Sequence, residues 1–185
     1  MFITSEAFNP IGGEINQLFS EGINERVAHE IAHQWWGHVV KMPGYDEQWI
    51  SESFAEYSAG LFIRDLRGKS DFARLEAGWR RRAGESHDIA PIPFANRVIA
   101  RSDMSISWSH RTALLYSKGP LLLEALHRDL GDQRVLVFLA SLQSTLPWKF
   151  GSTGVVQKVL DAVGKKDYGP FLDQYYWGLA VPPAK

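Results

Sequence analysis

Two histidines and two glutamates near the start of the chain have types and spacing suited to metal chemistry. The pentad HEIAH places His29 and His33 four positions apart, and Glu52 follows after eighteen intervening residues. On a helix, residues four apart are separated by about 40° of rotation, so both imidazoles project from one face. Two imidazole nitrogens and one carboxylate oxygen form a zinc ligand set that leaves a fourth position open for water. The spacing therefore predicts one Zn²⁺ held by His29, His33 and Glu52.

Two further carboxylates are expected to serve this site. Glu30 lies about 100° around the helix from His29, close enough to lean over the metal. Because Glu52 supplies the third ligand, Glu30 is free to take a proton from a water whose pKa zinc lowers to roughly 7, and to pass it to a leaving amine. Glu56 follows Glu52 by one helical turn and is predicted to bind the far nitrogen of a ligating histidine. The alternative for Glu56 is a solvated carboxylate.

Helical patterns on both sides of a turn are expected to position these groups. Helix signals begin at 15–24 and run through Val40, with a predicted core stripe at four-residue spacing. His38, about 180° from His29, is assigned to packing or the surface. The MPGYD turn follows, and Asp46 is the predicted N-cap of a helix over 47–67. The stripe consists of Val27, Ile31, Trp35 and Val39.

The second of these helices is predicted to be central, because its apolar residues fall on several sides. A carboxylate buried there costs several kcal/mol or more unless it is paired or bound to metal. This is an argument for Glu52 that does not depend on the HEIAH pentad. The apolar residues are Trp49, Ile50, Phe54, Tyr57, Leu61, Phe62 and Leu66.

The rest of the chain is predicted to form helices on both sides of one long irregular stretch. A helix begins at Ser70, and its Arg80–Arg82 run is assigned to a solvated basic face. Periodicity is lost over 84–108, which predicts a loop bordering the substrate cleft. Helices are then predicted over 112–130 (with Pro120 as a kink or a new first turn), 132–145, 153–163 and 168–178. A short strand is predicted at 2–5. His127 is assigned to a helix surface, Lys118 to a structural role, and Tyr175, Tyr176 and Trp177 to the core.

Composition limits the function class. The 185 residues carry a net charge of −1, so neither nucleic acid nor an anionic membrane is an expected partner. With no cysteine, disulfides and thiolate zinc sites are excluded. The sequence has no run of 18 apolar residues, so no membrane-spanning segment is predicted. Nothing in the sequence indicates a compartment. A hydrophobic content of 45% is ordinary for a globular chain, and 1–185 is predicted to be a single domain.

Three motifs together resemble a known family. HEIAHQWWGH, WISESFAEY and YSKGP at 116–120 are similar to the gluzincin zinc aminopeptidases of the alanyl/leucyl type, which include leukotriene A4 hydrolase. That family has HExxHxW, then Glu after 18 residues, then Tyr-x-Lys-Gly about 64 residues later, and here Tyr116 follows Glu52 by 64. The resemblance implies His29, His33 and Glu52 as zinc ligands, Glu30 as general base and Tyr116 as the hydroxyl that steadies the oxyanion. A tyrosine considered alone is more often a core residue.

The chain departs from the family pattern in two places. The family has a G-[AG]-M-E-N stretch whose Glu captures the substrate amine, and a large N-terminal β domain, and neither is found in these residues. The expected fold is therefore mainly α, the helical lobe of a thermolysin-like catalytic domain with the N-terminal sheet lobe mostly missing. The missing lobes of a longer parent are expected partners, and self-association through uncovered apolar surface is a further expectation.

The sequence predicts a zinc metallopeptidase of aminopeptidase type that acts on peptides, with weak or no activity in this chain alone. Two alternatives remain open. One is a zinc endopeptidase, because HEIAH and Glu52 do not choose between the two peptidase classes. The other is a non-catalytic helical interaction module with a structural metal site.

Overall fold

The computed structural model describes residues 23–85, 90–98 and 104–184, and within these ranges the chain is mainly helical, as predicted. The helices are α1 (Ile23–Ala32), α2 (Trp49–Arg67), α3 (Lys69–Glu85), α4 (Ala95–Val98), α5 (Met104–Ala113), α6 (Gly119–Leu130), α7 (Asp132–Thr145), α8 (Thr153–Gly164) and α9 (Gly169–Tyr175). A π-helical turn, Leu114–Lys118, joins α5 to α6, and 3₁₀ turns lie at Tyr45–Glu47 and Ile92–Phe94. β1 (Val40–Lys41) and β2 (Lys149–Phe150) pair in parallel. The predicted strand at 2–5 lies outside the described residues.

The central element is α2, which packs against α1, α3, α6 and the π-helical turn. Its side chains Trp49, Ile50 and Phe54 are each 1% exposed or less, so the prediction of a central helix is confirmed for its first half. Near its end the prediction of burial was wrong, because Phe62 and Leu66 are 47% and 56% exposed. The predicted N-cap was wrong. The chain enters α2 through the 3₁₀ turn that contains Asp46, so the helix starts at Trp49 after a Gln48 cap that makes no side-chain capping bond.

The first helix ends earlier than predicted and presents a different face. It stops at Ala32, and Ile31 and Trp35 of the predicted stripe are 45% and 44% exposed, whereas Ala32 and Trp36 are buried. The inward face is the one that carries His29, because that face meets α2. Tertiary contact with α2 thus overrides the apolar spacing that predicted the stripe.

A glycine makes the turn after α1. Gly37 has φ +112°, a conformation that side chains with a Cβ rarely adopt, and an added Cβ would lie 2.9 Å from Ser51 Oγ. The turn leads into β1, whose ends are bonded to the α7–α8 connection through Trp148 N–Val39 O and Gly151 N–Lys41 O, each 2.7 Å. These two hydrogen bonds hold the chain in place directly after the segment that carries His29 and His33.

The stretch over 84–108 is not one structureless loop, so that prediction was wrong. The Ile92–Phe94 turn, α4 and α5 occupy much of it, while residues 86–89 and 99–103 lie outside the described part. Ile92 is 1% exposed and its N–H donates to Tyr176 O at 3.1 Å, which anchors the turn to the end of α9. Short elements held by such tertiary contacts leave little helical periodicity in the sequence.

The later helices follow the predictions more closely. Helix α7 has the predicted bounds, α8 ends one residue later than predicted, and α9 is shorter. The segment predicted as 112–130 is divided by the π-helical turn, and Pro120 lies in the first turn of α6. Of the three C-terminal aromatics, Tyr176 is buried as predicted, whereas Trp177 is 51% exposed.

Two polar residues assigned to the surface are buried instead. Both ring nitrogens of His127 are hydrogen-bonded. Nδ1 lies 2.6 Å from Tyr57 Oη, and Nε2 lies 2.7 Å from Asp132 Oδ1. Arg82 donates from Nε to Ser117 Oγ at 3.1 Å. Partners distant in sequence make both burials tolerable, and helical periodicity does not report such partners.

No helix among the described residues has the length and apolar character to cross a bilayer.

The Ser53 side chain of α2 packs directly on the backbone of Gly119 in α6. A Cβ on Gly119 would lie 2.0 Å from Ser53 Oγ and 2.5 Å from Ser53 Cβ. Ser53 also donates to Leu115 O at 2.7 Å, which ties α2 to the π-helical turn. The small Ser53 side chain, packed on main-chain atoms at both points, therefore sets the spacing between these elements.

We predict that Gly119→Ala lowers the free energy of unfolding by about 1–3 kcal/mol, because the added methyl overpacks a contact that cannot open without moving a helix. Gly84→Ala is the matched control, since that exposed helical glycine has nothing within 4 Å of an added Cβ. The control is expected to be neutral or stabilising by up to about 1 kcal/mol. Urea unfolding followed by circular dichroism measures both, and equal midpoints for the two variants would contradict the prediction.

Candidate active site

The structure brings the three predicted ligands together. Nε2 of His29 and Nε2 of His33 each lie 3.6 Å from Oε2 of Glu52. One donor atom from each residue falls within 4.8 Å of the other two. Among the described residues, no second trio of His, Cys, Asp or Glu is arranged this way. The trio joins α1, the turn that follows it and the first turn of α2.

These separations suit a tetrahedral zinc ion. Zinc lies roughly 2.0–2.2 Å from imidazole nitrogen and carboxylate oxygen, and two such ligands at the tetrahedral angle are about 3.4 Å apart. The two 3.6 Å distances are within about 0.2 Å of that value. Nitrogen and oxygen donors without thiolate are also the set that catalytic zinc sites use. The residues present therefore fit a zinc ion.

Hydrogen bonds on the far side of each ring fix the tautomers in which Nε2 is free to bind. Nδ1 of His33 lies 3.0 Å from the carbonyl oxygen of Trp36, and Nδ1 of His29 lies 2.9 Å from Oε2 of Glu56. A carbonyl and a carboxylate only accept, so each Nδ1 carries a proton and donates it. In the neutral rings the lone pair is then on Nε2, which faces Glu52.

Glu56 is a buried carboxylate shared between two donors. It is 2% exposed, its Oε2 accepts from His29, and its Oε1 accepts from the indole Nε1 of Trp79 at 3.0 Å. It is not a solvated side chain. Trp79 was missed by the sequence reasoning, because a tryptophan within an amphipathic helix gives no sign that its N–H reaches a carboxylate on another helix.

Burial and neighbouring charges act in opposite directions on the pKa values of His29 and Glu52. Burial by itself lowers the pKa of His29, but hydrogen bonds and the negative charges of Glu52 and Glu56 outweigh it and raise that pKa to about 9. Burial by itself raises the pKa of Glu52, but hydrogen bonds from His29 and Tyr116, with the charges of both histidines, lower it to about 2. The two carboxylates thus create a buried position that favours positive charge.

Tyr116 lies next to the Glu52 carboxylate. Its Oη donates to Oε2 of Glu52 at 2.6 Å, and its ring stacks on His29 with centroids 5.6 Å apart. Burial, with the negative charge of Glu52, raises the pKa of Tyr116 well above its usual value, so the hydroxyl keeps its proton at neutral pH. Tyr116 lies in the π-helical turn, an element that recurs at functional sites.

The remaining predicted residues occupy simpler positions. Glu30 is partly buried on α1 next to His29. His38 is exposed, as expected, and His110 lies in the last turn of α5. His87 lies outside the described residues. Gln48, which the sequence reasoning did not single out, donates from Nε2 to the second oxygen of Glu52 at 3.3 Å.

The arrangement combines three donors suited to a divalent metal with a protonated phenol, and Glu30 is a further carboxylate next to His29 on α1. Such a combination supplies the elements of metal-assisted hydrolysis, which are a Lewis acid position, an oxyanion donor and a proton acceptor.

Sequence comparison relates this chain to one family of peptidases. The profile of the Peptidase family M1 domain matches residues 14–175. Aminopeptidase N of Lactococcus lactis subsp. lactis is 28% identical over 112 residues, which are 58% of this chain and 13% of that protein. Probable aminopeptidase 2 of Sulfurisphaera tokodaii is 46% identical over 46 residues, or 25% of this chain and 6% of that protein. The chain thus spans a small part of these relatives.

Solved structures share the fold. A mutant M1 zinc metallopeptidase from Deinococcus radiodurans, bound to a Tyr-Ser-Ala substrate, matches with a TM-score of 0.67 at 22% identity, covering 86% of this chain and 34% of that one. A two-domain M1 zinc metallopeptidase mutant bound to L-tryptophan matches with a TM-score of 0.65 at 24% identity, covering 89% and 35%. These matches confirm the predicted fold, the helical lobe of such an enzyme. With the family profile covering most of its length, the chain belongs to peptidase family M1, a family of gluzincin zinc aminopeptidases.

Proposed function

We propose that this chain carries the zinc-binding catalytic site of an aminopeptidase, with His29, His33 and Glu52 as ligands. The observation that supports it most is the convergence of these three donors at tetrahedral spacing, with both Nδ1–H groups already bonded elsewhere. Membership of family M1 supports zinc as the ion, and the aminopeptidase names of the relatives support the reaction.

The proposed reaction is hydrolysis of a peptide bond next to a free N-terminus. When bound, zinc supplies a Lewis acid that polarises the scissile carbonyl and acidifies the attacking water. Glu30 takes the proton from that water as its oxygen bonds to the carbonyl carbon, and then delivers the proton to the amine as the C–N bond breaks. The substrate class follows from the relatives, one of which was solved with a Tyr-Ser-Ala substrate.

Tyr116 is proposed to stabilise the oxygen that gains negative charge. Its hydroxyl is buried, protonated and already directed at an anionic oxygen, Oε2 of Glu52, at 2.6 Å. A preorganised donor of this kind contributes about 3 kcal/mol to the barrier reduction, because its dipole needs no reorientation as charge develops. Glu56 is proposed to hold His29 in its ligating tautomer.

We predict that the purified chain binds one Zn²⁺ and that His33→Ala weakens zinc affinity by more than about 100-fold, beyond the 10–100-fold typical of groups outside the ligand set. His38→Ala, which changes an exposed histidine on the same segment, serves as the matched control and should bind like the wild type. Competition with a chromophoric chelator measures the affinities. Equal binding by the two variants would exclude the proposed ligand set.

A subtler change tests the role of Glu56. In Glu56→Gln, the amide has one acceptor and one donor facing two donors, the His29 Nδ1–H and the Trp79 indole N–H. We expect zinc affinity to fall about tenfold, because one of the two contacts becomes donor against donor. Adding Trp79→Phe removes the competing donor and should restore part of the loss. An additive effect of the two changes, measured by the same chelator competition, would argue against this role.

Two substitutions separate catalysis from metal binding. Because weak activity is expected of this chain alone, the two are compared in a form of the protein that also carries the missing lobes. Glu30→Gln and Tyr116→Phe are both expected to keep zinc there, while kcat on an aminoacyl p-nitroanilide falls by about 10²–10⁴ and about 10², respectively. KM should change little, because both groups act mainly in the transition state. Loss expressed only in KM would reject the Tyr116 role. Wild-type cleavage of N-acetylated peptides at the same rate would instead indicate an endopeptidase.

A further inference from the structure

A buried arginine lies behind the catalytic tyrosine. Arg111, in the last turn of α5, is 8% exposed, and its guanidinium carbon is 6.0 Å from the centre of the Tyr116 ring. Burial and the charge of Glu52 raise the pKa of the Tyr116 hydroxyl, and the positive charge of Arg111 acts against that rise. The hydroxyl of Tyr116 donates to Glu52 Oε2 at 2.6 Å, so its proton points into the site.

The same arginine begins a chain of hydrogen bonds that ends on the other oxygen of Glu52. Arg111 Nε donates to Asn96 Oδ1 at 3.0 Å, and Asn96 Nδ2 donates to Gln48 Oε1 at 2.8 Å. Gln48 Nε2 then donates to Glu52 Oε1 at 3.3 Å. We call Arg111, Asn96 and Gln48 the arginine relay.

The direction of this relay is fixed by its ends. A guanidinium only donates and a carboxylate only accepts, so neither amide between them can turn over without placing two donors or two acceptors face to face. Asn96 is held further by a second bond from Nδ2 to Tyr45 O at 2.9 Å. The relay and the direct Tyr116 contact together close a ring in which one oxygen of Glu52 is occupied by Gln48 and the other faces His29 and His33.

We propose that Arg111 is a positioning residue for both Tyr116 and Glu52, an inference that rests on the function proposed above. Its positive charge beside the Tyr116 ring makes the phenol a stronger donor to a developing oxyanion, and the packed guanidinium holds the ring in place. Through Asn96 and Gln48 it holds Glu52 Oε1, so that Oε2 is the oxygen presented to the metal. The simpler role, a cation that stabilises the C-terminal end of α5, would affect stability alone.

Three substitutions test the ring. Arg111→Met removes the charge and all donors but keeps the stem, and it should lower both zinc affinity and, at saturating zinc, kcat by about tenfold with KM nearly unchanged. Asn96→Leu breaks the relay but leaves Arg111 beside Tyr116, so it should lower zinc affinity as much as Arg111→Met does while lowering kcat at saturating zinc by less. Arg111→Lys, which keeps the charge, should recover part of the kcat loss.

The control is Arg74→Met on α3, whose side chain is 74% exposed and pairs only locally with Asp71 in the described part of the chain. Each variant is assayed in the zinc-loaded full chain by chelator competition, steady-state kinetics, thermal unfolding and affinity for a phosphinic pseudodipeptide, whose tetrahedral oxygen mimics the oxyanion. In a Tyr116→Phe background, Arg111→Met should cost little further kcat or inhibitor affinity, because both changes remove the same interaction.

The outcomes separate the two proposals. If Arg111→Met lowers the unfolding temperature but leaves zinc affinity, kcat and inhibitor affinity within about twofold of Arg74→Met, Arg111 is only structural and the inference fails. Full additivity of Arg111→Met and Tyr116→Phe would also overturn it. If the wild-type chain binds neither zinc nor the phosphinic inhibitor, the proposed function itself fails, whatever the arginine variants do.

Discussion

A buried carboxylate at the start of the central helix is the constraint on which the rest of the site depends. Glu52 lies on α2 with only 14% of its side chain exposed, and an isolated charge in such a place costs several kcal/mol. The fold meets that cost by bringing donors to both carboxylate oxygens. Histidine nitrogens and the Tyr116 hydroxyl face Oε2, and Gln48 faces Oε1. The elements that carry these donors are therefore held against α2. The same contacts to Glu52 thus determine both the geometry of the site and the packing of the helices around it.

The donors themselves are held from behind. Glu56 and the Trp36 carbonyl fix the two imidazoles, Trp79 fixes Glu56, and Arg111 contacts the phenol. Each of these supporting groups comes from a different stretch of chain. Such an arrangement explains how a helical bundle keeps a metal site in one geometry, since each ligand has its rotamer set by a partner that is itself packed.

The sequence predicted the parts of this site that are local. The spacing of His29 and His33 follows from helical geometry, and burial of α2 made Glu52 conspicuous. Tyr116 came only from a family resemblance, because nothing near it in sequence distinguishes it from a core tyrosine. Arg111 and Trp79 could not be predicted, because a helical pattern reports only which face is buried and not which group on another element a buried side chain contacts. The early end of α1 was missed for a related reason, because it depends on the turn at Gly37 and on contact with α2.

The contact between Gly119 and Ser53 has a consequence for altering this protein. Ser53 is adjacent to Glu52, and Gly119 is three residues after Tyr116, so the Ser53 side chain against the Gly119 backbone acts as a spacer between the phenol-bearing turn and the carboxylate-bearing helix. This gap depends on two small residues, and exchanging other side chains nearby leaves it in place. Residues around the site other than Ser53 and Gly119 are therefore open to redesign, while the Tyr116 hydroxyl and the Glu52 carboxylate keep their separation.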